Sequence, residues 1–204
     1  MRYSNIDRYA QDRGIVVVMA SAENSFYQDL RSGKKYKTFF TEELPRFIRN
    51  VFPVSREREK TFIAGFSMGG YGAWYLALSR PELYAKAASM SGALDIAGLY
   101  QAAAAGNNDN NPFHWEDCFG DPDKLAGSDY DLFTLYDRDV KNGCVPKLYQ
   151  AVGRDDFLYP SNVYVRKLLE QKQADLTYEE DKGGHDWNFW DQYIQHILDW
   201  MLHD

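Results

Sequence analysis

Three side-chain types placed in chain order could carry out nucleophilic chemistry here: a serine, an aspartate and a histidine, each in a glycine-rich turn after an apolar run. Ser67 lies in Gly65-Phe66-Ser67-Met68-Gly69, a G-x-S-x-G frame that follows Thr61-Phe62-Ile63-Ala64 and precedes a helix-like segment. Such a frame can hold a serine at the sharp bend between a strand and a helix, where flanking glycines permit a close backbone approach. The bare pattern should arise by chance roughly 0.07 times in a chain of this size, so the flanking strand-like and helix-like residues raise its weight.

A serine hydroxyl is a weak nucleophile until a base takes its proton, and the base needs an acid to fix its tautomer and stabilise its cation. Of the four histidines, His185 sits in Lys182-Gly183-Gly184-His185-Asp186, between the last strand-like run and the last helix-like run. His196 falls inside that helix, His203 in the tail and His114 in a polar insertion, so these three read as packed or surface histidines. The acid is sought in Gly153-Arg154-Asp155-Asp156-Phe157, where two adjacent aspartates cannot both face one imidazole. Asp156 is the first choice, Asp155 the reserve and Asp95 a distant third. The Met68 N–H, directly after the nucleophile, is the expected oxyanion donor.

These groups need elements to position them. Residues 61–66, 86–91, 146–152 and 176–180 read as strands, and residues 14–20, uniformly apolar and β-branched, read as a strand buried on both faces of a parallel sheet. Helices are expected from Ser4 or Asn5 through Gln11, over 70–78, 129–140, 162–173 and 187–202. Another, over 38–51, should start late or irregularly at Pro45. The alternation predicts an α/β fold with a mostly parallel sheet flanked by helices, active groups lying at the carboxyl ends of the strands. Residues 95–128, polar and aromatic, are a candidate substrate-facing insertion within one domain spanning 1–204. The aromatic residues there and just beyond (Tyr100, Phe113, Trp115, Phe119, Tyr130) suit an acyl or aromatic group and a packed core equally well.

Composition narrows the classes. The 204 residues are 45% hydrophobic, enough for one core, and carry a formal charge of −7 with no basic stripe, which argues against nucleic acid. Cys118 and Cys144 show no C-x-x-C spacing and no nearby histidine pair, so no metal site or disulfide framework is expected. A reducing, cytoplasmic setting fits. No run reaches the roughly 18 apolar residues a membrane span requires.

The chain order serine, acid, histidine is that of α/β-hydrolases. Together with Ser25-Phe26-Tyr27, Glu42-Glu43-Leu44, the extended elbow through Ala73, Ser89-Met90-Ser91-Gly92-Ala93 and Gly184-His185, the chain resembles the esterase family of α/β-hydrolases. That family includes S-formylglutathione hydrolases, tributyrin-type esterases, and acetyl xylan and feruloyl esterases. The resemblance spans nearly the whole chain and implies hydrolysis of small-acyl esters through an acyl-serine intermediate without cofactor or metal. A formylglutathione-type thioesterase, a carbohydrate esterase and a catalytically impaired hydrolase fragment are the alternatives, and a homo-oligomer is possible. In the family the acid falls three residues after the glycine matching Gly153, which favours Asp156. The family's first strands, and the His-Gly loop that supplies its second oxyanion donor, fall before the position matching Met1. The resemblance therefore implies an N-terminally truncated α/β-hydrolase fold, a vacancy inside the sheet and a reading frame that continues upstream.

Overall fold

A computed structural model describes residues 4–106 and 113–203. In chain order it contains α1 (Ile6–Asp12), α2 (Tyr36–Thr38), α3 (Leu44–Val51), β1 (Phe62–Phe66), α4 (Met68–Ser79), β2 (Lys86–Met90), α5 (Ile96–Ala105) and α6 (Trp115–Phe119). These are followed by α7 (Leu132–Asn142), β3 (Lys147–Gly153), α8 (Tyr159–Gln171), β4 (Leu176–Asp181) and α9 (Trp187–Leu202). The four strands form one parallel sheet in the order β1-β2-β3-β4.

A parallel sheet must be covered on both faces, and the pleat sends alternate residues to each. Ala87 and Leu148 face one layer, where they join Leu76, Ala77 and Leu78 of α4, Leu135 of α7, and Val165 and Leu169 of α8 in the larger core. Their neighbours Ala88 and Tyr149 face the other layer and meet Trp190, Tyr193, Ile197 and Met201 of α9. Helix α1 docks on the far side of α9 through Ile6, Tyr9 and Leu198. Helix α4 is buried on every side from Gly70 to Leu78, which explains why its sequence lacks a polar stripe.

The helix expected over 38–51 is irregular but does not start late, since helical backbone already begins at Tyr36. A π-type turn over Phe39–Glu43 precedes α3, and the proline falls in the first turn, where its missing N–H costs nothing.

The strand expected over residues 14–20 is not formed. Gly14 ends the α1 region with φ +64°, and the residues after it run without regular pairing, leaving Val16 61% and Met19 53% exposed. A strand exists through its partner's N–H and C=O groups, and none of the described strands reaches this segment. Strand β1 likewise has a neighbour only on its β2 side among the described residues.

Part of the insertion expected over 95–128 lies outside the described residues, at positions 107–112. What is described there, α5 and α6, packs rather than projects. Tyr100 stacks on Trp115 at 5.1 Å, and Phe26 is ringed by Tyr71, Phe113, Trp115 and Phe119 with centroids 4.7–6.0 Å away. Tyr100 and Phe119 are buried, so core packing accounts for these two aromatics.

Candidate active site

The β1–α4 turn holds Ser67 at φ +54°, ψ −123°, a conformation that L-residues avoid and that costs on the order of 1–3 kcal/mol. The surroundings over-determine it. The Ser67 N–H donates to Met90 O, and Ser67 O accepts from the N–H groups of Gly70 and Ala93. A Cβ on Gly65 would collide with the Gly69 carbonyl, so only glycine lets strand and helix approach this closely. Met68 opens α4, and its N–H therefore has no carbonyl four residues back to pair with.

The loop after β3 supplies the carboxylate. Asp156 is buried and accepts the Leu158 N–H at 2.8 Å, whereas the neighbouring Asp155 turns its side chain to solvent. The loop after β4 supplies the imidazole. His185 Nδ1 lies 2.9 Å from Asp156 Oδ2 and 3.1 Å from Oδ1, and His185 Nε2 lies 2.9 Å from Ser67 Oγ. The ring sits between Phe157 and Trp190, with centroids at 4.5 and 5.0 Å, and Phe157 is 73% exposed at the lip. Burial pushes the Asp156 carboxyl up, but hydrogen bonds from His185, the Leu158 N–H and the Ser91 hydroxyl outweigh it and hold the group below the usual carboxylate range.

The other candidates lie elsewhere. Asp95 caps α5 by accepting the Gly98 N–H at 3.1 Å. His196 pairs with Glu179 at 2.9 Å, His114 precedes α6 at the surface, and His203 follows α9. Among the described residues there is no cluster of three metal-ligating side chains.

Two residues at the site escaped the sequence reading. Ser91 was expected to end the second strand, but it stands just past β2 at φ +48°, fully buried, with its hydroxyl on Asp156. Trp190 reads in sequence as one more core aromatic of an amphipathic helix, yet its Nε1 donates to Ser91 Oγ at 3.1 Å. Only the segment Ser89 to Ala93, noted for its resemblance to esterases, hinted at the first.

A serine, an imidazole and a carboxylate in hydrogen-bonded series, at the carboxyl ends of parallel strands, define the class of serine hydrolases on an α/β-hydrolase fold. The chain belongs to the Putative esterase family, which it matches over residues 4–201. It is 40% identical over 195 residues to an acetyl esterase of Caldicellulosiruptor saccharolyticus, covering 92% of this chain and 71% of that protein. Its structure is similar to that of the fluorophosphonate-binding serine hydrolase FphF of Staphylococcus aureus, with a TM-score of 0.91 and 32% identity, covering all of this chain and 78% of that one. The S-formylglutathione hydrolase FrmB of the same organism superposes with a TM-score of 0.85 and 31% identity, again over 100% and 78% of the two chains. The chain is a carboxylic ester hydrolase of the serine type.

Proposed function

We propose that the chain hydrolyses esters of small acyl groups, acetate foremost, through an acyl-enzyme on Ser67. The observation that carries this reading is the unbroken series Ser67 Oγ, His185 Nε2, His185 Nδ1 and Asp156 Oδ2, with both links at 2.9 Å. Ser67 Oγ attacks the ester carbonyl carbon while His185 Nε2 takes its proton, and Asp156 holds the imidazole and stabilises the resulting cation. The Met68 N–H donates to the oxyanion. Collapse of the tetrahedral intermediate breaks the bond to the alkoxy oxygen, which leaves with the proton from His185. Water then attacks the acyl-serine by the same path in reverse, releasing the carboxylic acid. No step calls for a cofactor.

The likeness to an acetyl esterase supports a short acyl group. The likeness to an S-formylglutathione hydrolase favours a second reading, a thioesterase using the same residues. We place the activity in one domain. A reducing compartment suits the two free cysteines, and no described helix is long and apolar enough to cross a membrane.

The test is hydrolysis of p-nitrophenyl acetate, p-nitrophenyl butyrate and S-formylglutathione, with Ser67→Ala as control and a fluorophosphonate probe to report the nucleophile. Labelling and turnover that vanish together in Ser67→Ala are expected, with acetate ahead of butyrate. A folded protein that neither labels nor turns over is a catalytically impaired hydrolase and overturns the proposal.

A further inference from the structure

We infer that Ser91, held by Trp190, is a positioning residue that fixes the Asp156 carboxylate for catalysis, a reading that rests on the roles given to Ser67, Asp156 and His185.

The segment from Met90 to Ala93 joins the nucleophile turn to the acid loop. Met90 O accepts the Ser67 N–H and the Ala93 N–H donates to Ser67 O, which ties the segment to the nucleophile turn. The Ser91 N–H donates to Ala151 O of β3 at 2.7 Å. Gly92 O accepts Asn162 Nδ2, and the same amide donates to Leu158 O, so one buried side chain spans this segment and the acid loop. Ser91 stands at the centre of these contacts with φ +48°, a backbone conformation uncommon for a residue with a Cβ and usually kept where a side chain must be aimed.

The direction of its hydrogen bonds follows from chemistry. An ionised carboxylate only accepts and an indole N–H only donates, so Ser91 Oγ takes the Trp190 proton donor and gives its own proton to Asp156. Asp156 is then met by three donors, His185 Nδ1, the Leu158 N–H and Ser91 Oγ. Trp190 serves both ends of the arrangement, since its ring also stands edge-on to His185 and stacks on Phe66 of β1 at 4.3 Å.

The neighbouring charges are engaged or turned away. Arg154 pairs with Glu180, Asp181 accepts the Lys182 N–H, Asp186 caps α9 through the N–H groups of Asn188 and Phe189, and the Asp155 side chain faces solvent. Ser91 is thus the neutral donor that sets where the carboxylate points and how much charge it presents to the imidazole.

The experiment compares Ser91→Ala, Trp190→Phe and their combination by steady-state kinetics on p-nitrophenyl acetate across pH, with circular dichroism to confirm folding. Ser91→Ala should lower kcat about 10- to 100-fold, the range for losing a hydrogen bond to a charged group, with KM nearly unchanged. The acidic limb of the kcat profile should move to higher pH, because a carboxylate with one donor fewer holds the imidazolium more strongly. Trp190→Phe should fall in the same direction, and the loss in the double variant should be smaller than the product of the two single losses, since the two changes share one hydroxyl. Should Ser91→Ala fail to fold, Ser91→Gly removes the same hydroxyl at a φ that glycine accepts. A folded variant with kcat and pH limb within about twofold of the parent, or losses that multiply independently, overturns the inference. Ser67→Ala, run alongside, separates the two readings, because activity surviving there defeats the nucleophile assignment itself.

Discussion

Gly153 and Gly183 approach so closely that a Cβ on Gly153 would collide with the Gly183 carbonyl, and the same carbonyl accepts the Asp155 N–H at 2.9 Å. The acid loop and the histidine loop are therefore laid against each other by bare backbone, next to the hydrogen bond from Arg154 N–H to Asp181 O at 2.7 Å. The distance between Asp156 and His185 is set by this contact as much as by their own side chains.

Gly153→Ala should accordingly lower kcat about 100-fold, the usual effect of a displacement near 1 Å at reacting groups, while the protein remains folded. Steady-state kinetics beside a far-ultraviolet dichroism spectrum check this. An unchanged kcat would mean the two loops tolerate separation.

The two aspartates of the acid loop should behave very differently. Asp156→Asn should cost about 10⁴-fold in kcat, because an amide can hold the wrong imidazole tautomer, whereas Asp155→Asn, altering an exposed side chain, should stay within a few-fold. The reverse ranking would move the acid role to Asp155.

Turnover depends on a neutral imidazole at position 185, since only that form can accept a proton from Ser67. Asp156 adds a stability effect whose sign follows from its depressed pKa. Its contribution is fully present above the usual carboxylate range, near about pH 4, and is lost as pH falls through the lower value in the folded state. Urea denaturation of the parent and Asp156→Asn at pH 7 and at pH 3 should show the difference in stability between them shrinking on acidification.

The cysteines should differ in reactivity. Burial, with a smaller push from the Asp117 carboxylate, drives the Cys118 thiol up to about 12, so almost no thiolate is present at neutral pH. Cys144 is partly exposed. In native protein, a thiol-reactive chromophore should modify about one thiol quickly, and peptide mapping should find it on Cys144. Rapid modification of Cys118 would show that the aromatic cluster around α6 opens readily.

The sequence by itself determined the local frame of the site. Short strand-like runs marked β1 to β4, a nearly unbroken apolar run marked α4, the spacing of apolar residues marked α9, and glycine at 65, 69, 153 and 183 marked the turns where backbones had to touch. Serine, acid and histidine then fell at strand ends because that is where such turns occur in a parallel sheet. What the tertiary structure alone decided was pairing and direction. Residues 14–20 have the composition of a buried strand, but pairing requires a neighbouring strand within hydrogen-bonding reach, and composition cannot supply one. The aromatics at positions 100 and 119 could equally have lined a pocket or filled a core, and the packing around Phe26 settled their place. Ser91 and Trp190 lie 99 positions apart, and nothing in either local sequence announces that a serine hydroxyl and an indole N–H will meet beside Asp156. Local sequence sets backbone conformation over a few residues, whereas hydrogen bonds between distant side chains exist only once the sheet has brought its strand ends to one edge.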